Sequence, residues 1–462
     1  MSNIILREYQ NKLIDDLRNS FKSGKKRPLV VAPCGAGKTV MFSYMADSAV
    51  KKGLSVLILA HREELLFQIS ETLDLFGCAH GFIMPGVNLD PKKPVQVGSV
   101  FSVNKRSSQF KNPDLIIIDE CHHFSKGNTW SKVVDKYPLA RIVGVTATPC
   151  RLDGKALGDL FDDMIMGPTT RELILSGDLS DYTAFAPALV SLDGLKSKMG
   201  DYLKDEISEL MDKPSITGSA VAEWIKYARN KKTIVFCVSV QHAENVAAEY
   251  MRNGISARSI DGKMDKRIRR QILSEFKSGK IQVLVNVSIA TEGFDVKTID
   301  CVQLLRPTAS LSLYIQIVGR GLRTYDGKEK ALFLDHVKAI ETHGLPDEER
   351  EWSLSERIKK RSSKDGKNEV PVKVCLSCFA ANNSFNHFCV HCGAPFEVKK
   401  RDGPEELEGE LLEIDKKNFK KQMRKDQGQA ESFDDLVAIG IKRKYKNPHA
   451  WAKFVLKGRS KK

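Results

Sequence analysis

The sequence predicts an α/β chain with two parallel-sheet units in tandem, a small cysteine-rich segment and a basic tail. Two patterns carry this. Short, β-rich apolar runs alternate with segments whose apolar residues recur at helical spacing, first over residues 28–148 and again over about 216–340. Four of the ten cysteines then crowd into one polar stretch between Cys375 and Cys392.

In the first unit, residues 1–170, the runs PLVVAP, SVLILA, VQVGSV, LIIIDE and RIVGVTAT read as strands. Their nearly continuous apolar character suits a sheet covered on both faces. ELLFQISETLDLF between them has the spacing of a helix. Residues 171–215 are more polar and less regular, and read as the connection between the units. The second unit, 216–345, opens with the strand TIVFCV. A helix, QHAENVAAEYMRNG, follows and stops at a glycine. SARSID, IQVLVNV, CVQLLR and KALFLDHV are further strands, with the helix DKRIRRQILSEFKSG among them. Residues 346–370 form a charged linker poor in apolar residues. Residues 371–398 carry the cysteine quartet. A charged segment and a basic, aromatic-containing tail fill 399–462.

Bulk properties narrow the class. With 462 residues and 42% hydrophobic content, the chain can build two or three cores. No apolar stretch reaches the roughly 18–20 residues that a membrane helix needs, and the first residues lack a secretory run. A formal net charge of +15 favours a polyanionic partner. Cys34, Cys78, Cys121, Cys150, Cys237 and Cys301 are scattered, mostly within apolar runs, as thiols of a reducing compartment are. A cytoplasmic protein with no membrane partner is expected.

The stretch VVAPCGAGKT places a glycine-rich turn between a strand and a helix. Gly35, Ala36 and Gly37 let backbone N–H groups close around phosphate oxygens at a helix N-terminus. Lys38 can reach the outer phosphates, and the Thr39 hydroxyl suits Mg²⁺. Ala32 stands where the strict pattern has its first glycine. Farther on, LIIIDECHH puts Asp119 and Glu120 at the carboxyl end of a buried strand, the edge where ligands collect in parallel sheets. Asp119 is expected to hold Mg²⁺ through water, and Glu120 to orient or deprotonate the attacking water. In the second unit Arg320 and Arg323 lie about one turn apart if their segment is helical. The first unit has the phosphate loop and the second has the arginines, so a composite site between them is expected. Arginine fingers can add about 10³–10⁵ in rate.

An ordered set of motifs over about 1–340 resembles the superfamily 2 helicases and translocases of the DExH type, and is most similar to RadD-type bacterial and phage DNA helicases. APCGAGKT, LAHREELLFQ, DECH, TATP, NVSIATEGFDV and QIVGRGLR stand in family order. The resemblance implies two RecA-like lobes and ATP as the nucleotide. It implies that Arg7 and Gln10 read adenine, that Gln316 faces the γ-phosphate, and that Gly293 and Asp295 approach the nucleotide. It also implies nucleic-acid backbone contacts at His61, Arg62, Gly98 and Ser99 of the first lobe, and at Val238, Ser239, Arg269 and Thr291 of the second.

Cys375, Cys378, Cys389 and Cys392 read C-x2-C-x10-C-x2-C, the spacing of a tetrahedral Zn²⁺ ribbon. Metal would supply the stability that so polar a segment lacks. In the tail, cations are interspersed with Tyr445, Trp451 and Phe454, as in segments that hold phosphates and stack on bases. A small helix docked through Trp451 is the other reading. The whole predicts an ATP-dependent helicase or translocase acting on single-stranded or branched DNA in replication, recombination or repair. An RNA helicase stays open. So does a DNA-stimulated ATPase that remodels or loads without separating strands, for instance at a single-stranded-DNA-binding or recombination protein.

Overall fold

The first lobe is built on a seven-stranded sheet: β1 (Pro28–Val31), β2 (Val56–Ala60), β3 (His80–Ile83), β4 (Val95–Ser99), β5 (Leu115–Asp119), β6 (Arg141–Thr146) and β7 (Asp163–Met166). Its order is β3-β4-β2-β5-β6-β1-β7, and every pairing is parallel. Helices α1 (Glu8–Lys22), α2 (Lys38–Val50), α3 (Glu63–Leu75), α4 (Val100–Arg106) and α5 (Thr129–Asp135) cover it. The pleat explains the unbroken apolar runs. Along β5, Ile117 enters one core while Ile116 and Ile118 enter the core on the other face. The computed structural model describes residues 4–151, 155–186, 197–198, 201–202, 204–287, 296, 298–355, 372–396, 429–430, 432–443 and 448–459.

The connection does more than link. It adds α6 (Thr170–Leu175) and β8 (Tyr182–Phe185), and β8 joins the sheet of the second lobe. A hairpin of β9 (Ser197–Lys198) and β10 (Asp201–Tyr202) follows, then α7 (Lys204–Met211) and α8 (Pro214–Ala228). Asp201 ties the hairpin to the second lobe by accepting from Arg306, Thr308 and the Ala309 N–H. The second sheet comprises β11 (Thr233–Phe236), β12 (Ala257–Ile260), β13 (Val283–Asn286), β14 (Cys301–Leu304) and β15 (Ala331–Asp335) with β8. It has six strands in the order β12-β13-β11-β14-β15-β8, again all parallel. The helices are α9 (Val240–Arg252), α10 (Lys266–Lys277), α11 (Leu311–Gly321) and α12 (Ala339–His343). Side-chain caps set the starts of α9, α10 and α11: Ser239, Asp265 and Ser310 each accept a first-turn N–H.

Past α12 the chain returns to the first lobe. The Arg350 guanidinium donates to the carbonyls of His343, Leu345 and Glu348. Beyond it, the Leu354 carbonyl accepts from Gly158 N–H at 2.9 Å. A Cβ on Gly158 would lie 2.3 Å from that oxygen, so this seat requires glycine.

The cysteine segment folds around an antiparallel hairpin, β16 (Val372–Val374) and β17 (Ala381–Asn383). It caps the free edge of β8: Ala186 N–H donates to Phe379 O at 2.9 Å, and the Phe185 ring stacks on Tyr227 with centroids 4.2 Å apart. The linker of residues 346–370 lies outside the described residues from 356 on. The chain divides into two compact units, Met1–Phe396 and Glu397–Lys462. In the second, α13 (Phe433–Lys442) and α14 (Pro448–Arg459) pack around Ala430, Leu436, Val437, Ala452 and Val455. Trp451 packs against this core, so the docked-helix reading of the tail describes it, while Tyr445 and the Phe454 side chain lie outside the described residues. No helix among the described residues is long and apolar enough to cross a membrane.

Candidate active site

The glycine turn sits where the sequence puts it, between β1 and α2. Gly35 and Gly37 adopt φ of +87° and +72°, left-handed backbone that the tight turn requires and that glycine adopts without strain. The Lys38 ammonium donates to the carbonyls of Ala32 and Pro33 at 3.3 and 3.2 Å, folding over the hollow of the loop. Thr39 opens α2 beside it, and Ala36 is buried. Helix α1 leans on this loop. Gln10 is 4% exposed, and its Nε2 donates to Ala36 O at 3.0 Å while its Oε1 accepts from Arg7 N–H. The Tyr9 hydroxyl donates to the same Ala36 carbonyl. Gln10 therefore braces the loop, and Arg7 pairs with Asp178 at 3.2 Å.

Asp119 and Glu120 close β5 beside the loop. Asp119 is 4% exposed and accepts Glu120 N–H at 3.0 Å. Burial pushes its carboxyl up to about 7, and the Glu120 carboxylate adds to that push. The Lys38 ammonium and the Glu120 N–H oppose it. A buried carboxyl so destabilised as an anion fits a divalent cation of oxygen-ligand preference. Glu120 has φ +47°, a left-handed conformation uncommon for a residue with a side chain, and it turns the chain into Cys121–His123.

The second lobe completes the site. Gln316 on α11 is 2% exposed and donates from Nε2 to His122 Nε2 at 3.1 Å. That leaves the imidazole hydrogen on Nδ1, which lies 3.3 Å from Glu120 Oε2 and 3.2 Å from Thr146 Oγ1. Thr148 Oγ1 and Ser312 Oγ, one from each lobe, are 2.7 Å apart. Gly319 lies directly on the glycine turn, since a Cβ there would stand 2.3 Å from Cys34 Cβ. Arg320 is the next residue of α11. The Arg323 stem reaches 3.6 Å from where a Cβ on Gly35 would be. Of the two arginines expected at the loop, the Arg323 stem is thus beside it. Gln316 contacts His122 rather than standing free toward a phosphate. Gly293, Asp295 and Thr291 lie outside the described residues.

His122, Thr148, Ser312 and the Cys34–Gly319 contact were not assigned from sequence. His122 stands in the DECH run and could have been flagged there. The other contacts join residues far apart in the chain and leave no local signal.

The expected nucleic-acid residues gather at the carboxyl edges of the two sheets. His61 follows β2, Gly98 and Ser99 end β4, and Val238 and Ser239 follow β11. His61 packs its ring on His123 at 4.4 Å, and Arg62 Nε donates to His61. Gly98 is enclosed by Val103 and Ile83, and Val238 is buried. Ser99 and Ser239 are helix N-caps. Arg269 on α10 pairs with Glu64 of the first lobe at 3.1 Å.

The four thiols of Cys375, Cys378, Cys389 and Cys392 lie within 4.8 Å of one another. Burial opposes ionisation of Cys389, yet N–H groups of Cys392 and His391 and the Asn382 amide bring its thiol down to about 6. Gly393 and Phe379 take positive φ in the two knuckles. Donors converging on sulfur at this spacing fit a thiolate-bound tetrahedral metal.

The Type III restriction enzyme res subunit family matches residues 3–151, and the helicase conserved C-terminal domain matches residues 217–325. A 51.5 kDa protein of a Lactococcus phage (isolate 7-9) is 33% identical over 394 residues, covering 85% of this chain and 83% of its own length. A proposed ATP-dependent helicase of Saccharomyces cerevisiae, IRC3, is 31% identical over 358 residues. That alignment covers 72% of this chain and 52% of IRC3, so the chain spans about half of that relative. Among solved structures, a fragment of a proposed HsdR subunit of a type I restriction enzyme from Vibrio vulnificus YJ016 superposes with a TM-score of 0.61 at 26% identity. It covers 75% of this chain and 67% of its own. Two parallel-sheet lobes, a phosphate-type loop in one and a QIVGRGLR helix in the other, agree with these likenesses, and the chain belongs to superfamily 2 of the ATP-dependent helicases and translocases.

Proposed function

We propose that this chain is a DNA helicase or translocase that hydrolyses ATP between its lobes. The observation that carries the reading is the seating of α11 on the glycine turn, with Gly319 on Cys34 and the Arg323 stem beside Gly35. Lys38 leaves the loop carbonyls and takes the outer phosphates. Asp119 and Thr39 hold Mg²⁺, which supplies charge neutralisation on the phosphates when bound. Glu120 orients the attacking water, with the His122 ring 3.3 Å from its carboxylate. Arg320 and Arg323 add positive charge only when the lobes are closed, so turnover follows closure. Arg7 and Gln10 position the loop from α1.

DNA is the favoured polymer. Relatives named for restriction enzymes support it, as does the net charge of +15. His61, Arg62, Gly98, Ser99, Val238, Ser239 and Arg269 lie along edges where a strand's backbone can run, and such contacts carry little sequence information. Cys375, Cys378, Cys389 and Cys392 hold Zn²⁺ and keep the ribbon folded against β8.

ATP turnover measured with single-stranded, duplex and forked DNA and with RNA tests the reading. DNA is expected to raise turnover, and Lys38→Ala and Glu120→Gln to abolish it. Stimulation by RNA alone would replace DNA as the substrate, and full turnover in Glu120→Gln would remove Glu120 from its role.

A further inference from the structure

The chain turns sharply after α11 and brings a lysine back to the helix end it has just left. Lys328 N–H donates to Tyr325 O at 3.1 Å, and Gly327 takes φ of +88° within that turn. The half-buried Lys328 ammonium then meets three carbonyls. It donates to Gly321 O on the last residue of α11, to Arg323 O at 2.8 Å, and to Ile299 O ahead of β14 at 2.7 Å. An ammonium has three N–H donors, and each has an acceptor here. The last carbonyls of a helix lack partners within it, and a cation there complements the negative end of the helix dipole.

These carbonyls belong to the segment that carries Arg323 to the glycine turn. The Arg323 backbone pairs with Leu179 in an isolated bridge, and Leu322 O accepts Ser180 N–H at 2.8 Å. The arginine is therefore held on one side by the connection between the lobes and on the other by Lys328. The charged groups that face the ammonium are the Arg323 guanidinium and the Asp300 carboxylate. Asp300 also accepts from the Tyr325 hydroxyl, and the Tyr325 ring centre lies 5.6 Å from Lys328 Nζ. Burial pushes the Lys328 ammonium down to about 8; the Asp300 carboxylate opposes that push and the Arg323 guanidinium adds to it.

We propose that Lys328 is a positioning residue for Arg323, its ammonium fixing the end of α11 so that the Arg323 guanidinium is presented to the nucleotide. The inference rests on the reading of Arg323 as a phosphate-facing arginine and names what holds it in place. A methionine at 328 would release all three carbonyls. Loss of the proton alone leaves an amine with two N–H donors, so one carbonyl is released. In both cases residues 321–323 lose an anchor, while Lys38, Thr39, Asp119 and Glu120 keep their surroundings. Turnover then changes more than ATP affinity does.

The test is steady-state ATP turnover of the full chain with single-stranded DNA present, beside its affinity for a fluorescent ATP analogue. In Lys328→Met, kcat is expected to fall about tenfold while affinity changes less than about threefold. On the residual turnover of Arg323→Ala, adding Lys328→Met should cost nothing further, because the two act as one unit. Lys328→Arg keeps a positive charge and N–H donors, so it should retain most of the turnover; it also provides the readout should the methionine variant fold poorly. Wild-type kcat should decline as pH rises through about 8, and Lys328→Arg should lack that limb, because a guanidinium does not titrate there. Full kcat in Lys328→Met overturns the proposal, and so does a loss of affinity as large as the loss of kcat. A further loss on top of Arg323→Ala overturns it too, as does the same alkaline decline in Lys328→Arg or its absence from the wild type. Full turnover in Arg323→Ala overturns the reading of that arginine itself, and the positioning role with it.

Discussion

A single methyl group at Gly319 should uncouple nucleotide binding from turnover. An added Cβ would stand 2.3 Å from Cys34 Cβ and 3.1 Å from its Sγ. Carbon atoms rest about 3.5–4.0 Å apart, so the overlap is about 1.2–1.7 Å. No rotamer relieves it, because the Cβ of Cys34 moves only with the backbone. Helix α11 must therefore withdraw from the loop, carrying Gln316, Arg320 and Arg323 away from the first lobe. Overpacking of this kind costs about 1–3 kcal/mol, or roughly a 5- to 150-fold loss of the closed form. The assay compares DNA-stimulated ATP turnover with the affinity for a fluorescent ATP analogue. In Gly319→Ala, turnover should fall by that factor while affinity changes less than about threefold, since the loop itself is untouched. Cys34→Gly in the same chain removes the clashing Cβ and should restore turnover, whereas Cys34→Ala keeps it and should not. Full turnover in Gly319→Ala, or equal rescue by both second substitutions, would refute the reasoning.

Three further outcomes are expected. His122→Ala should lower turnover about tenfold or more with ATP affinity retained, and Gln316→Ala should cost little on top of it, because the two share one hydrogen bond; a double-mutant cycle measures this. Cys375→Ser should lose a zinc ion present at one per chain, read by elemental analysis, together with the ribbon's thermal transition. Burial holds the His242 imidazole down to about 4, against the pull of the Asp212 carboxylate, and neither ring nitrogen has a hydrogen-bond partner among the described residues. Its folded value lies below the ordinary 6.5, so its contribution is intact above pH 6.5 and is lost as pH falls toward 4, up to about 3 kcal/mol. His242→Leu should flatten the fall in melting temperature between pH 7 and 4.5, and an unchanged slope would exclude His242 as its source.

What was legible in the sequence was what lies close along the chain. The glycine turn, the Asp119–Glu120 pair and the cysteine quartet each declare themselves within a few residues, because phosphate cradling and tetrahedral thiolates demand fixed local spacing. The strand runs were equally plain, since a sheet covered on both faces leaves no polar gaps. β8 was not legible. YTAF is four residues long, and its partner β15 lies far downstream. Ser99 and Ser239 show a subtler limit. A serine after a strand suits both an N-cap and a phosphate contact, and only the structure reveals that its oxygen already serves a helix. Gln10 was found at the right place, but its amide faces the loop rather than an open pocket. That depends on how α1 is tilted, which no local pattern encodes.

The return of the chain from the second lobe to the first bears on how far the machine can open. Arg350 is locked to carbonyls on the second lobe, and Leu354 is held by Gly158 on the first. With three residues between them, the two can stand at most about 14 Å apart when the chain is pulled straight. This leash crosses the cleft independently of the segment between β7 and β8. Small openings can be absorbed by its slack, but a larger excursion must first peel Leu354 from its seat. The stroke length of this motor is then set by a short tether as much as by the two surfaces it joins, and lengthening that tether by a few glycines would be a direct way to alter the gait.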